Sequence, residues 1–235
     1  MEIVKSSKRE LFTYDYYCQI IETLKLRKFS FCHFVDEQAE GSLKVYLRHD
    51  IDLNLADALE LAKLESKLGV NSSYFFMLEA EIYNIFAPTN RQKISEIIAL
   101  GHDVGLHFVP GIDMSPLELE VQVNREAEIL GNLLQYKIKC FSIHRPAPCI
   151  LSSDFRPRGL INTYSPEYFS KEKCGNPIEF IERFQGNDLQ ILTHPVWWKQ
   201  KSMLPKDKIY KVVEDCNLIT KNYLRENIKL AETIL

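Results

Sequence analysis

Two aspartates and three histidines stand at the ends of apolar runs in this sequence, in a pattern that suits metal or acid–base chemistry. Asp50 and Asp52 close the first run, His107 lies near the end of the second, and His144 and His194 follow two more. The carboxyl ends of parallel strands share one face of an α/β fold. We therefore expect these five side chains to converge on one site.

A shared cation would explain such a cluster. Burying imidazoles beside carboxylates is costly unless they share a metal or a proton. Mixed histidine and carboxylate ligands suit one divalent ion, zinc first, with manganese, iron, nickel or cobalt as alternatives. A simpler interpretation is also open: a lone histidine at a strand end is more often structural, and Asp52 could cap a helix that begins near Leu53.

Apolar periodicity places these runs on strands that alternate with helices. The helices are predicted at residues 13–28, 53–69, 90–100, 115–136 and from about 206 onward. The strands are predicted at residues 45–52, 72–78, 103–108, 138–143, 160–164 and 189–195. This alternation predicts an α/β fold with a mostly parallel sheet, and polar strand ends suit a barrel with its site at one mouth.

Composition limits the class of protein. A chain of 235 residues with 46% hydrophobic content can bury one core, so we expect a single domain over residues 1–235, with residues 1–40 as a helical extension packed on it. A net charge of -3 without basic runs argues against a nucleic-acid partner. Six cysteines without a Cys-x-x-Cys spacing predict free thiols rather than a zinc finger.

The start of the sequence and its hydropathy indicate the cellular location. The segment that begins at Met1 lacks the apolar core of a signal peptide, and no window is long enough for a membrane-spanning helix. We therefore expect a cytoplasmic protein with no membrane span. The pattern leaves the oligomeric state open.

The motifs around these residues resemble those of the polysaccharide deacetylases, the NodB-homology or carbohydrate esterase family 4 superfamily. The resemblance covers about residues 45–198. The run that ends at Asp52 is similar to the family's strand with two terminal aspartates, although one residue separates them here. The segment from Gly101 to His107 resembles the G-H-E-I-G-x-H motif, which makes His102 a structural residue, and the run before His194 resembles the Leu-x-His motif. The resemblance implies a distorted (β/α) barrel with mostly parallel strands.

One departure from the family concerns the metal. The family places a second metal histidine four residues after His107, and Gly111 stands there in this chain. The resemblance then implies that His144, just before an Arg-Pro pair, replaces it. The implied ligands are Asp52, His107 and His144.

The resemblance also implies the catalytic roles. By position Asp50 matches the base and Asp52 the metal ligand, although the extra residue between them leaves the two roles exchangeable. His194 matches the general acid for the departing amine, and Arg145 would hold Asp50 or the substrate. The implied substrate contacts are His49, Trp197 and Trp198, with a lid or core position as the alternative for the tryptophans.

The implied activity is a metal-dependent deacetylation of an N-acetylated sugar or sugar precursor. The combination of His-Asp-x-Asp, His-Arg-Pro and His-Pro-x-Trp-Trp is similar to a divergent branch of the family, some of whose members are associated with surface-polysaccharide biosynthesis. A cytoplasmic location would favour a small nucleotide- or lipid-linked precursor. Two alternatives stay open: a catalytically silent carbohydrate-binding domain, and a metal-assisted hydrolase of another amide or of an ester.

Overall fold

The computed structural model describes residues 12–36, 43–146, 155–168 and 176–234. Its strands are β1 (Ser30–Phe31), β2 (Lys44–Ile51), β3 (Ser73–Phe76), β4 (Asp103–Phe108), β5 (Cys140–Ile143), β6 (Ile161–Asn162) and β7 (Asp188–Thr193). Its helices are α1 (Tyr14–Leu26), α2 (Leu55–Lys67), α3 (Pro88–Ala99), α4 (Pro116–Leu134), α5 (Pro177–Arg183), α6 (Pro205–Asn227) and α7 (Ala231–Ile234), and a 3-10 turn spans Pro195–Trp197.

The seven strands form one parallel sheet that curls into part of a barrel. The order is β1-β2-β3-β4-β5-β6, and β7 pairs with β2. Every pairing between these strands is parallel. The predicted distorted (β/α) barrel with mostly parallel strands is confirmed.

Strand β2 is covered on both its inner and its outer face, since all eight of its residues are buried. Side chains alternate between the faces of a strand. Val45 and Leu47 pack with the helix α1 in one apolar cluster, whereas Tyr46 packs on the inner side with Phe75. The same alternation sends Arg48 and Asp50 inward.

A close approach inside the barrel requires glycine at position 105. Gly105 lies in register with Phe75 on the neighbouring strand. A β-carbon at this position would stand 2.4 Å from the Phe75 ring and 2.8 Å from the Cys140 carbonyl oxygen. Replacement by any other residue would therefore displace either the ring or a strand.

The ends of the helices follow local sequence signals. Ser115 and Glu118 form a capping box at the start of α4, and Gly69 lies in the left-handed region after α2. The alternative in which Asp52 caps α2 is wrong, because Asn54 accepts from the first backbone N–H groups of that helix. The helix predicted from residue 90 begins earlier, because Pro88 opens α3.

The region predicted as a helical extension also contributes to the sheet. Helix α1 buries Tyr17, Ile20, Ile21 and Leu24 against the domain, and β1 then pairs with β2. Residues 1–11 and 37–40 of that region lie outside the described residues. Helix α5 was not predicted, since its seven residues are too few for a clear period.

Four of the six cysteines lie in the described part of the chain. Cys18, Cys32, Cys140 and Cys216 are free thiols, and Cys149 and Cys174 lie outside the described residues. Among the described helices, none combines the length and the apolar character that a bilayer crossing requires.

Candidate metal centre

Three strands of the sheet, β2, β4 and β5, bring Asp52, His107 and His144 to the same end of the barrel. Asp52 follows β2, His107 lies near the end of β4, and His144 follows β5. The backbone N–H of His144 donates to the carbonyl oxygen of Phe108 at 2.7 Å, which ties the residue to the end of β4. The convergence expected from parallel strand ends is therefore present for these three residues.

The three side chains form a compact set of ligand atoms. One atom from each lies within 4.8 Å of the other two. The Nε2 of His107 and the Nδ1 of His144 stand 3.1 Å and 3.4 Å from the Oδ1 of Asp52, and 3.2 Å from each other. The three atoms thus face a common point.

The donor set fits a divalent cation. Oδ1 of Asp52 is buried and has no hydrogen-bond partner among the described residues, although two imidazole nitrogens lie near it. An orphaned carboxylate oxygen facing two nitrogens would be satisfied by a cation bound between them. One carboxylate and two imidazoles are ligands that zinc, manganese, iron, nickel and cobalt accept.

Electrostatics keep two of these groups in their ligating forms. Burial raises the pKa of Asp52, but His107 and the other nearby histidines outweigh it, so that the net shift is downward. Burial lowers the pKa of His144, against the opposing effect of Asp52. A carboxylate and a neutral imidazole at neutral pH are the forms that bind metals.

His194 lies on the open side of the cluster. Its side chain is 34% exposed, and its Nε2 stands 3.5 Å from Oδ2 of Asp52, whereas His107 and His144 lie near Oδ1 of the same carboxylate. This position allows the imidazole to exchange protons with solvent. It does not place His194 among the three converging ligand atoms.

Asp50 lies beneath the cluster, with a side chain only 3% exposed. Arg48 donates to both of its oxygens, and the hydroxyl of Ser142 donates to Oδ1 at 3.1 Å. Burial raises the pKa of Asp50, but Arg48 and His107 outweigh it and hold the pKa well below its usual range. This geometry does not favour the predicted role of Asp50 as a proton acceptor.

The partner of Asp50 differs from the predicted one. Arg145 was expected to hold Asp50 or the substrate. Its side chain is exposed and its backbone is in the left-handed region, with φ 48, so it does not hold Asp50, and its contact with a substrate stays a prediction. Arg48 holds Asp50 instead, from within β2. Arg48 and Asp50 are two positions apart on one strand and therefore share a face. This spacing could have predicted from sequence that Arg48 pairs with Asp50.

His49 does not reach the site. Its side chain is fully buried on the outer side of β2, where its Nε2 lies 2.8 Å from Oε1 of Glu65. The prediction that His49 contacts the substrate is therefore wrong, because the alternation of side chains along β2 points this residue away from Asp50 and Asp52. His102 is buried too, bound to the Ala62 carbonyl oxygen and to Ser72, as its predicted structural role requires.

The two tryptophans have different environments. Trp198 is 4% exposed, packs against Tyr17 and donates its indole N–H to the Thr193 hydroxyl, so the predicted sugar contact is wrong for this residue. Trp197 is partly exposed in the turn that follows His194. Only Trp197 stays available for a substrate.

Cavity volume does not identify the site. An apolar cavity of about 460 Å³ lies beside β7 and is lined by residues that include Tyr17, Phe180 and Trp198. None of the ligand candidates lines it. The convergence of ligand atoms, rather than the volume of a pocket, identifies the candidate centre.

Comparison with known proteins gives a partial structural likeness. No protein-family model matches the sequence, and no curated protein matches it. The deacetylase PplD of Streptococcus pyogenes is 13% identical over 66% of this chain and 67% of its own, with a TM-score of 0.44. The chitin deacetylase of Colletotrichum lindemuthianum is 18% identical over 77% and 85%, with a TM-score of 0.46.

A third solved structure is catalytically different. The BA3943 protein of Bacillus anthracis, a pseudoenzyme of carbohydrate esterase family 4, is 13% identical and has a TM-score of 0.43. The match covers 75% of this chain and 63% of that protein, so this chain spans less than two thirds of its length. These three solved structures thus comprise two deacetylases and one pseudoenzyme.

Proposed function

We propose that this chain is a metal-dependent deacetylase that hydrolyses the amide of an N-acetylated sugar or sugar precursor. The observation that carries the proposal is the convergence of Asp52, His107 and His144 within 4.8 Å at the strand ends. The orphaned Oδ1 of Asp52 supports a cation at that point. His194 beside the cluster supports a reaction that moves protons.

Asp52, His107 and His144 would hold the ion, with zinc as the first candidate. When bound, the metal would polarise the acetamide carbonyl and lower the pKa of the attacking water. The neutral form of His144 and the ionised form of Asp52 favour binding at neutral pH.

We assign the proton transfers to His194. Hydrolysis breaks the carbon–nitrogen bond, forms acetate, and requires the departing nitrogen to gain a proton. His194 is the most exposed imidazole at the cluster, at 34% against 2% for His107 and 20% for His144, and its Nε2 lies 3.5 Å from Oδ2 of Asp52. It can accept a proton from water and donate one to the nitrogen. Asp50 is too deeply buried to do so directly.

We propose that the sugar ring of the substrate binds at the surface near His194. Trp197 is partly exposed next to His194 and could stack on a sugar ring. The setting that the motif resemblance suggests, surface-polysaccharide biosynthesis, is part of this proposal. The acetylated sugar itself is to be found by screening.

The test is elemental analysis of purified wild type beside His107→Ala and His144→Ala variants. We expect about one equivalent of metal in wild type and little in either variant. His102→Ala is the matched control, because His102 is equally buried but binds Ala62 and Ser72 rather than the cluster. A wild-type protein that takes up no zinc, manganese, iron, nickel or cobalt on loading would refute the metal site.

A silent carbohydrate-binding domain is the second candidate, and one observation favours it. The Arg48 clamp removes Asp50, the carboxylate that the motifs match to a catalytic base, from contact with solvent. A metal-loaded protein that binds acetylated sugars in calorimetry without releasing acetate would support this candidate. Release of acetate from simple aryl esters, but not from sugars, would instead indicate an esterase.

A further inference from the structure

The hydroxyl of Ser142 lies between a proposed metal ligand and a buried carboxylate. Its Oγ is 2.6 Å from Nδ1 of His107 and 3.1 Å from Oδ1 of Asp50. Ser142 is fully buried and lies in register with His107 on the neighbouring strand. The hydroxyl is therefore fixed by the sheet rather than by a mobile loop.

The count of hydrogens decides the direction of both bonds. A serine hydroxyl has one hydrogen to donate and lone pairs that accept. Asp50 receives hydrogen bonds on both oxygens from the permanently charged Arg48, so it acts as an acceptor toward Ser142. The single hydrogen of Ser142 goes to Asp50. The bond to His107 must then run from Nδ1–H of His107 to Oγ of Ser142.

This direction fixes the imidazole of His107. With the hydrogen on Nδ1, a neutral ring carries its lone pair on Nε2. That Nε2 is the atom that faces Oδ1 of Asp52 at 3.1 Å and Nδ1 of His144 at 3.2 Å. A lone pair and a carboxylate at this distance repel each other unless a cation lies between them.

We propose that Ser142 is a positioning residue that holds His107 in the tautomer competent to bind the metal through Nε2. The inference rests on the proposed metal site and adds a residue that neither the motifs nor the ligand cluster includes. A direct bond from His107 to Asp50 does not replace the hydroxyl, because Nδ1 of His107 and Oδ2 of Asp50 are 3.8 Å apart. Ser142 is the link between Arg48–Asp50 and the ligand.

The first test measures zinc affinity by chelator competition at one fixed pH. Loss of a partner that orients a metal-bound histidine typically weakens binding 10–100-fold, so we expect a rise of about that size in the dissociation constant for Ser142→Ala. Ser142→Thr keeps the hydroxyl and should return the affinity close to the wild-type value. Ser73→Ala is the matched control, because Ser73 is equally buried on the next strand but one and its hydroxyl has no partner among the described residues.

The second test needs no variant beyond those used for assignment. Nitrogen-15 spectra of the zinc-loaded wild type should show His107 protonated at Nδ1 and metal-bound at Nε2. Binding through Nδ1, or an unchanged zinc affinity in Ser142→Ala, would overturn the proposal. If wild type takes up no zinc, the proposed function fails. The tautomer of His107 in the metal-free protein at alkaline pH then still tests the role of Ser142. A hydrogen on Nδ1 supports that role, and a hydrogen on Nε2 refutes it.

Discussion

Arg48 donates two hydrogen bonds to Asp50 from two positions earlier on the same strand, Nε to Oδ1 at 2.9 Å and Nη2 to Oδ2 at 2.7 Å. The side chains are 0% and 3% exposed. Arg48 also donates to Oε1 of Gln190 at 3.1 Å and lies 4.3 Å from the centre of the Tyr164 ring. A buried ion pair with these additional contacts has most of its hydrogen-bonding capacity satisfied, so loss of one partner leaves an uncompensated charge.

Replacement of Arg48 by methionine should therefore destabilise the fold. We expect Arg48→Met to lower the free energy of unfolding by about 3–5 kcal/mol, as for other buried pairs that lose one partner. Urea denaturation measures this quantity. Arg156→Met is the control, because Arg156 pairs with Glu167 at 2.9 Å and both side chains are about half exposed; we expect a loss below about 1 kcal/mol. Equal losses in the two variants would contradict the argument.

Two variants separate the role of Asp50 from that of His194. If Asp50 positions His107 through Ser142, Asp50→Ala should weaken zinc binding roughly 10–100-fold. If Asp50 is instead the catalytic base, the same variant should keep its zinc and lose turnover. His194→Ala should keep its zinc and lose about 10²–10⁴-fold in kcat, because a proton-transfer group has been removed. Zinc content and acetate release, measured on both variants with circular dichroism as the folding control, decide between these outcomes.

The barrel was predictable because its signals are local. Apolar runs such as 45–52 and 103–108 are short and are separated by amphipathic helices, so strand and helix periods are distinct. Parallel strands then place their carboxyl ends together without further information. Asp52, His107 and His144 could therefore be grouped from sequence, although they lie far apart along the chain.

The arrangement beneath the cluster could not be predicted in the same way. Ser142 acts because it stands opposite His107 in the sheet register, and register is set by pairing rather than by motif. His49 was misplaced because it adjoins Asp50 in sequence, whereas alternation turns neighbouring side chains to opposite faces. Trp198 was misplaced because a tryptophan at a strand end can equally complete the core under α1, as it does here.

The carboxylate that binds His49 should make stability depend on pH. Glu65 is fully buried and accepts from Tyr74, Ser72 and His49, and also from Tyr17. Burial raises its pKa, but His49 and the other donors outweigh it and lower the pKa to about 2.

Stability should fall on acidification, because the pKa of Glu65 is lower in the folded protein than in the unfolded chain. The ionised Glu65 contributes stability above the unfolded pKa of about 4.5, and this contribution is lost as pH falls toward the folded pKa of about 2. We expect Glu65→Gln to be less stable than wild type near pH 7, with the difference narrowing by up to about 3 kcal/mol on acidification. Urea titrations between about pH 7 and pH 3 give the comparison. A difference that does not change with pH would refute this account.

A second buried carboxylate should act in the opposite direction. Glu126 on α4 is 6% exposed and accepts from Nε2 of Gln122 at 2.8 Å. Burial raises its pKa to about 7, and Glu79 adds to the rise while Gln122 opposes it. Between about pH 4.5 and pH 7 the native protein holds a proton on Glu126 that the unfolded chain has lost, so stability falls as pH rises through this window.

Glu126→Gln removes that titration while keeping an oxygen for Gln122. We expect the variant to match wild type near pH 4.5 and to be more stable by up to about 3 kcal/mol near pH 8, where folding of wild type must either bury the charge of Glu126 or take up a proton. Glu128→Gln serves as the control, because Glu128 is exposed on the same helix and its replacement should change stability by less than about 0.5 kcal/mol at either pH. If Glu126→Gln is stabilised equally at both pH values, the gain comes from packing rather than from the raised pKa, since only the ionised carboxylate carries a cost that grows with pH.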